Sequence, residues 1–349
     1  AGGLPAMYDD LMYMKAPRAA AVVILSMARY GDVFLASQYE AGEEGTIFKL
    51  EGIRVMLSTR SGAPEDLKIY MPVDFVWAFD ITDLGDDKEL YRWPLKINRN
   101  RAKDDYSRLI EMAKVFALSG PELEQRVAEV IDVDEWMRHF ALMTLCGIGD
   151  IYSFGAPHNL DFYVRPSDQK IEAMPWDWDF TFDRPSTSAL WGDQNLGKII
   201  SLPVYKRLFY AHLYDLIQTV YNREYMSHWV DHYGQIAGEN YATYLSYIDE
   251  RAAFVFSQLP APVPFSIDAD GQGSLSVDGD TAMITGTGWI NVRWIYLEGR
   301  EEPLDVAWLD GQTWQVTLPL NPTVNVLTFT AYDFRGNRIA VQSVAIARR

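Results

Sequence analysis

Cysteine is almost missing from this chain: Cys146 stands alone among 349 residues. A single thiol closes no internal disulfide, and without a C-x-x-C pair there is neither a thiol redox motif nor a cysteine zinc site. Oxidising export is thus neither required nor excluded. Long apolar runs are also missing. The longest, residues 19–25, falls far short of the roughly 18 to 20 residues that a membrane-spanning helix needs and reads as a buried strand. Positive charge is in deficit, with 31 Lys and Arg against 48 Asp and Glu, a net charge of −17. Such a chain repels phosphate backbones unless a local basic patch intervenes, and the densest basic stretch, residues 96–103, runs straight into Asp104 and Asp105. A nucleic-acid partner is disfavoured and a membrane span is excluded. The chain opens on Ala1 with no signal-type apolar core, as expected of a processed chain or a fragment.

Apolar residues are plentiful, at 48% of the sequence, with 11 Trp, 20 Tyr and 16 Phe. That suffices for a core in each of the two domains that the length suggests at about 150 residues per domain. The sharpest shift in composition is QLPAPVPF at residues 258–265, where three prolines make a stiff, extended connector. The domain boundary is placed at 260–265. Beyond it, short alternating runs at 274–277, 282–285, 292–297, 314–318, 325–332 and 339–346 predict strands joined by Asp-Gly and Gly-Asn turns. That pattern predicts an immunoglobulin-like β-sandwich over 266–349, with Trp289, Trp294, Trp308 and Trp314 as its bulky core or rim.

The region before the linker mixes both element types. Residues 19–25, 32–39 and 46–57 read as strands. Three helices follow, over 104–118, from Gly120-Pro121, and from about Asp132 to Cys146, the last with Glu135 placed to complete a capping box with Asp132 and Gly147 to end it. Two more are predicted over 203–221 and 238–259. The predicted fold class is therefore α+β followed by all-β.

The chemistry concentrates in residues 149–183. Leu160, Phe162 and Val164 alternate, Pro166 to Gln169 make a turn, and residues 170–174 return, which predicts a β-hairpin. With the turn centred between 167 and 168, Asn159 faces about Trp176 and His158 faces about Asp177, at roughly 5 Å for opposed residues. Asp179 shares a side with Asp177 by period-two alternation. An Asn and two Asp so gathered form a hard oxygen set suited to Mg²⁺ or another divalent ion, Mn²⁺ and Ca²⁺ included, and the scarcity of imidazole argues against zinc. Asp150, nine residues before Asn159, is an additional carboxylate that could accept a proton from a hydroxyl. Asp, then Asn, then a hairpin, then Asp is the layout by which protein-kinase-like folds hold a base and two metal ligands.

At these residues the sequence resembles the CotH kinase family of spore-coat proteins, atypical members of the protein-kinase-like fold. Gly149-Asp150, His158-Asn159 and above all Pro175-Trp176-Asp177-Trp178-Asp179, which matches the family's PWD-x-D signature, carry the likeness. Tyr39-Glu40, Phe48-Lys49, Leu95-Lys96, Val133-Asp134 with Trp136, and Arg251 support it over residues 16–259. The resemblance implies ATP and a divalent cation as cofactors and a protein substrate bearing Ser or Thr, with Asp150 as catalytic residue. It further implies Asn159, Asp177 and Asp179 as metal ligands, Glu40 facing the adenine from the end of a hinge strand, and Lys49 or Lys96 taking the place of the family's nucleotide-binding lysine. That lysine lies upstream in the family, and residues 1–18 contain no counterpart, so the small lobe, about residues 1–60, is expected to be incomplete ahead of a helical lobe over 95–259. A secreted or cell-surface, bacterial setting is implied, with a cell-surface or carbohydrate contact through the C-terminal module. Two other readings stay open: a non-catalytic surface scaffold with a degenerate kinase-like domain, and a metal-dependent hydrolase built on the acidic hairpin.

Overall fold

The computed structural model describes residues 2–50, 54–56, 68–70, 80–92, 94–152, 159–192, 195–269, 273–277, 279–320 and 326–348. They divide into two compact units, 1–202 with 216–257, and 203–215 with 258–349.

In the first unit the elements run β1 (Asp9–Met14), β2 (Val22–Met27), α1 (Asp32–Gln38), β3 (Thr46–Leu50), β4 (Arg54–Met56), β5 (Lys68–Tyr70), α2 (Lys88–Arg92), β6 (Leu95–Arg99), α3 (Ser107–Ala117), α4 (Gly120–Val130), α5 (Val133–Cys146), β7 (Leu160–Val164), β8 (Ile171–Pro175) and α6 (Asn195–Ile200). Then come α7 (Pro203–Thr219), whose residues 203–215 belong to the second unit, α8 (Arg223–Ala237) and α9 (Thr243–Gln258). An antiparallel sheet in the order β6-β3-β7-β8 anchors the site. Both faces of β7 are buried, so its five residues are apolar or paired instead of alternating with solvent. Trp136 of α5 joins helices to sheet. Its ring meets Phe116 edge-on at 5.7 Å and stacks on Phe162 at 5.9 Å, while its indole N–H donates to Ile171 O at 2.9 Å. A fully buried indole is favourable only where its N–H finds such an acceptor.

α3, α4 and α5 lie close to their expected bounds, with Pro121 in the first turn of α4 and Gly147 ending α5 in a left-handed conformation. The capping box forms by half: Asp132 accepts from Glu135 N at 3.3 Å, but Glu135 Oε2 turns to Ala173 N of β8 at 2.8 Å. Three expectations are corrected. Residues 32–38 form a helix and not a strand; Leu35 is its one buried residue, and Val33 points to solvent. Residues 223–237 form α8, capped by Asn222 on Tyr225 N and ended by left-handed Gly238, the position expected to open the following helix. The run read as one strand over 46–57 carries two, β3 and β4. An additional strand, β1, pairs with β2 over six residues.

The second unit holds β9 (Ser266–Ile267), β10 (Ser274–Val277), β11 (Thr281–Thr287), β12 (Trp294–Leu297), β13 (Ala307–Trp308), β14 (Thr313–Pro319), β15 (Val326–Tyr332) and β16 (Arg338–Arg348). They form two four-stranded sheets, β10-β16-β15-β12 and β13-β14-β11-β9, which fit a β-sandwich. Trp314 is fully buried between the sheets, stacked on Phe265 at 5.7 Å, whereas Trp294 stands 41% exposed.

Candidate active site

The β7–β8 hairpin sets the site's geometry. Its pairs run from Val164 opposite Ile171 to Leu160 opposite Pro175, so one further step brings Asn159 level with Trp176, as the turn-centre arithmetic requires. At that open end both strands leave the ladder through left-handed residues, Asn159 with φ +54° and Asp177 with φ +56°. Asn and Asp tolerate this region better than other residues, yet the conformation still costs energy and concentrates at functional sites.

Asp150 reaches the same place from the end of α5. Three backbone hydrogen bonds stitch its loop to the segment after the hairpin: Phe182 N to Cys146 O at 2.8 Å, Arg184 N to Gly147 O at 3.0 Å and Gly149 N to Phe180 O at 3.1 Å. Gly149 permits the approach, because a Cβ there would lie 2.5 Å from Asp183 Oδ2. Arg251 of α9, completely buried, braces both strips by donating to Thr144 O at 3.1 Å, Ser186 O at 2.9 Å and Ser188 O at 2.5 Å.

Asn159 is buried, and its amide nitrogen donates to Asp150 O at 3.0 Å and Asp150 Oδ2 at 3.2 Å. Carbonyl and carboxylate oxygens only accept, so the amide must turn its nitrogen towards Asp150 and its own oxygen away. Asp177 and Asp179 are exposed, and among the described residues neither carboxylate has a hydrogen-bond or ion-pair partner. They line a cavity of about 450 Å³ together with Trp176, Trp178, Tyr30 and Met27. Tyr30 holds one wall by donating to Pro175 O at 2.6 Å; burial, then the charge of Asp161, raises its phenol well above the ordinary range.

Lys49 of β3 stands opposite Asp161 of β7, with Nζ 4.2 Å from the centroid of the Trp176 ring. The sheet therefore delivers a cation to the same tryptophan that precedes Asp177. Lys96, its neighbour on β6, pairs with Lys49 in register. Glu40 is exposed on the turn after α1 and is not among the residues lining the cavity. The hinge strand it was expected to end is a helix, which removes the reason for placing it against a base. His158 lies outside the described residues.

Behind the hairpin is a group that sequence reasoning missed. His139 of α5 is completely buried, 3.7 Å from Glu135 Oε1 through Nδ1 and edge-on to Trp178 at 6.0 Å. Burial drives the His139 imidazolium down to about 3, so the ring is neutral at pH 7, and, with Glu172 as the next cause, holds the Glu135 carboxyl well above the usual carboxylate range. Their helical i,i+4 spacing was legible, but nothing in it told that both face inward.

The oxygen set fits a hard divalent cation. Mg²⁺ retains several waters and takes one or two carboxylates plus substrate phosphates, which matches two exposed, uncommitted carboxylates at a cavity mouth. Among the described residues no group of three or more His, Cys, Asp or Glu gathers for a metal, so a softer, all-protein cage is not what this arrangement offers. No curated protein matches the chain. The family described as CotH kinase protein matches residues 28–245. With that match covering well over half of its length, and with the hairpin and its carboxylates inside it, the chain belongs to the CotH kinase family.

Proposed function

We propose that the chain transfers a phosphoryl group from ATP to a Ser or Thr hydroxyl of a protein, with Mg²⁺ or another divalent cation as cofactor. One observation carries the reading: Asp150 hydrogen-bonded to Asn159, beside an acidic segment whose Asp177 and Asp179 line the 450 Å³ cavity. Phosphoryl transfer depends on positioning and on neutralising charge more than on covalent chemistry. The cation, when bound, would neutralise charge on the phosphates. Asp177, Asp179 and the Asn159 carbonyl oxygen would hold it. Asp150 orients the acceptor hydroxyl and takes its proton, and the Asn159 amide fixes it for that role through one bond to its carboxylate and one to its backbone carbonyl. Lys49, held on the Trp176 ring that lines the cavity, is assigned to a phosphate.

The test is transfer of the labelled γ-phosphate of ATP to an acceptor protein, which Asp177→Ala and Asp150→Asn should each lower by at least about 100-fold, as loss of a general base or a charge-stabilising group does. Phosphate release without acceptor labelling would mark a hydrolase instead. Partner binding indifferent to substitutions at Asp150, Asn159 and Asp177, with no nucleotide bound under any divalent ion, would mark a scaffold. A secreted or cell-surface setting is part of the same proposal and rests on the family; among the described residues no helix is long and apolar enough to cross a membrane. A carbohydrate contact is proposed for the outer face of β12, β15 and β16, where Trp294, Tyr296 and Tyr332 border a groove of about 630 Å³. Polysaccharide retention in affinity gels unchanged by Trp294→Ala would refute it.

A further inference from the structure

Helix α8 carries a histidine pair that neither the fold nor the proposed reaction uses. His228 and His232 lie four residues apart on this 15-residue helix, and both are exposed. Their ring centroids are 6.3 Å apart and their planes 15° from parallel, so the two imidazoles stand one above the other on one face. Residues at this spacing have Cβ atoms about 5–6 Å apart, and it is the spacing at which two histidines of one helix grip a zinc ion. Neither ring has a hydrogen-bond or ion-pair partner among the described residues. Their neighbours are the rings of Trp229 and Tyr233, at 5.1 Å from His228 and 4.9 Å from His232 respectively, contacts that leave the ring nitrogens uncommitted.

We propose that His228 and His232 form a two-imidazole binding site for a divalent transition-metal ion. Imidazole selects Zn²⁺, Ni²⁺ and Cu²⁺, whereas carboxylate and carbonyl oxygens suit Mg²⁺, so this site differs in kind from the one at Asp177 and Asp179. No third His, Cys, Asp or Glu joins the pair among the described residues, which leaves the remaining coordination positions to water. The residue after the first histidine is Trp229 and not the glutamate that serves as base in helical zinc proteases. The site therefore binds without hydrolytic chemistry.

Trp229, whose ring lies 6.2 Å from His232, supplies the readout. Ni²⁺ titrated into the full chain, with Mg²⁺ in excess to occupy the oxygen set, should quench tryptophan fluorescence, and calorimetry should give one Ni²⁺ per chain. His228→Ala and His232→Ala should each weaken binding by at least the roughly 10- to 100-fold that losing even an outer-shell partner costs a metal site. Asp231→Asn and Asp177→Asn should leave it unchanged. Both histidines are exposed, so the variants keep the fold, which far-UV circular dichroism verifies. Binding by the double variant His228→Ala/His232→Ala equal to that of the unaltered chain overturns the proposal, and so does a lack of Ni²⁺ and Zn²⁺ binding by the unaltered chain.

Discussion

Gly147 carries two constraints at once. Its φ of +57° is one that L side chains avoid, and a Cβ there would sit 1.9 Å from Tyr247 Oη. Left-handed geometry costs a non-glycine residue about 1–2 kcal/mol, and forced overlap in a packed site adds about 1–3 kcal/mol. Gly147→Ala should thus destabilise the chain by about 2–5 kcal/mol, read from the denaturant midpoint. The Tyr247 hydroxyl is buried without a hydrogen-bond partner, so Tyr247→Phe alone should cost little. In Gly147→Ala/Tyr247→Phe the next atom, Cζ, would be 2.9 Å away; part of the loss should return while the backbone cost stays. A double variant no more stable than the single one would show that the hydroxyl is not the obstacle. The same logic explains which site residues the sequence disclosed. Asp150, Asn159, Asp177 and Asp179 stand out by type and spacing, but the contact that admits Asp183 beside Gly149 depends on the absence of a side chain, which no pattern of residues announces.

At the level of elements, the junction of α2 and α3 shows how charge is used structurally. Asp104 accepts from Arg92, whose side chain is 3% exposed, and from Lys88, each at 2.5 Å. The hydrogen bond from Arg92 is the main cause that lowers the Asp104 carboxyl from 3.8 to about 2. A carboxyl lowered by folding contributes stability that is present above its unfolded value and lost as pH falls through the folded one, here between about 4 and 2. Asp104→Asn should flatten this part of the stability-versus-pH curve, measured by urea unfolding at stepped pH. Glu135 and Glu172 act with the opposite sign. Burial raises both, so their contribution is present at low pH and lost as pH rises. An unaltered acid limb in the Asp104 variant would assign it to other carboxylates. Elements were legible where one periodicity dominated: α3 and α4 each bury a single stripe, and the β7–β8 register followed from its turn. The segment 32–38 misled because Val33, Phe34 and Leu35 are consecutive and fit either period, whereas α8 escaped although Met226, Trp229, Val230, Tyr233 and Ile236 recur at helical spacing; Gly234 is its one fully buried residue.

For the whole molecule, the proline-rich stretch drew attention to residue 260, yet the second unit also takes residues 203–215 of α7. Arg207 shows why. Its guanidinium lies 3.2 Å from the centroid of the Trp308 ring and donates to Trp289 O at 3.0 Å and Val292 O at 2.7 Å. Burial, then the charge of Arg293, pushes it down to about 9, so it remains charged at pH 7 inside the unit. Its partners are backbone carbonyls and a ring face, which carry no complementary charge for a reader of the sequence to match. Removing this buried charged donor leaves Val292 O without its donor, at about 1–3 kcal/mol, while Trp289 O keeps the Val292 N–H, and forfeits a desolvated cation–π contact worth about 2 kcal/mol. Arg207→Ala should therefore loosen the sandwich by roughly 3–5 kcal/mol, seen as red-shifted tryptophan emission and a lower melting temperature. The acidic hairpin, Asp150 and Lys49 all belong to the first unit, so ATP-dependent labelling by the Arg207 variant, assayed below that melting temperature, should match the unaltered chain. Labelling that falls in proportion to the loosened sandwich would show that the chemistry depends on the second unit, and the acceptor-binding role would then have to be sought there.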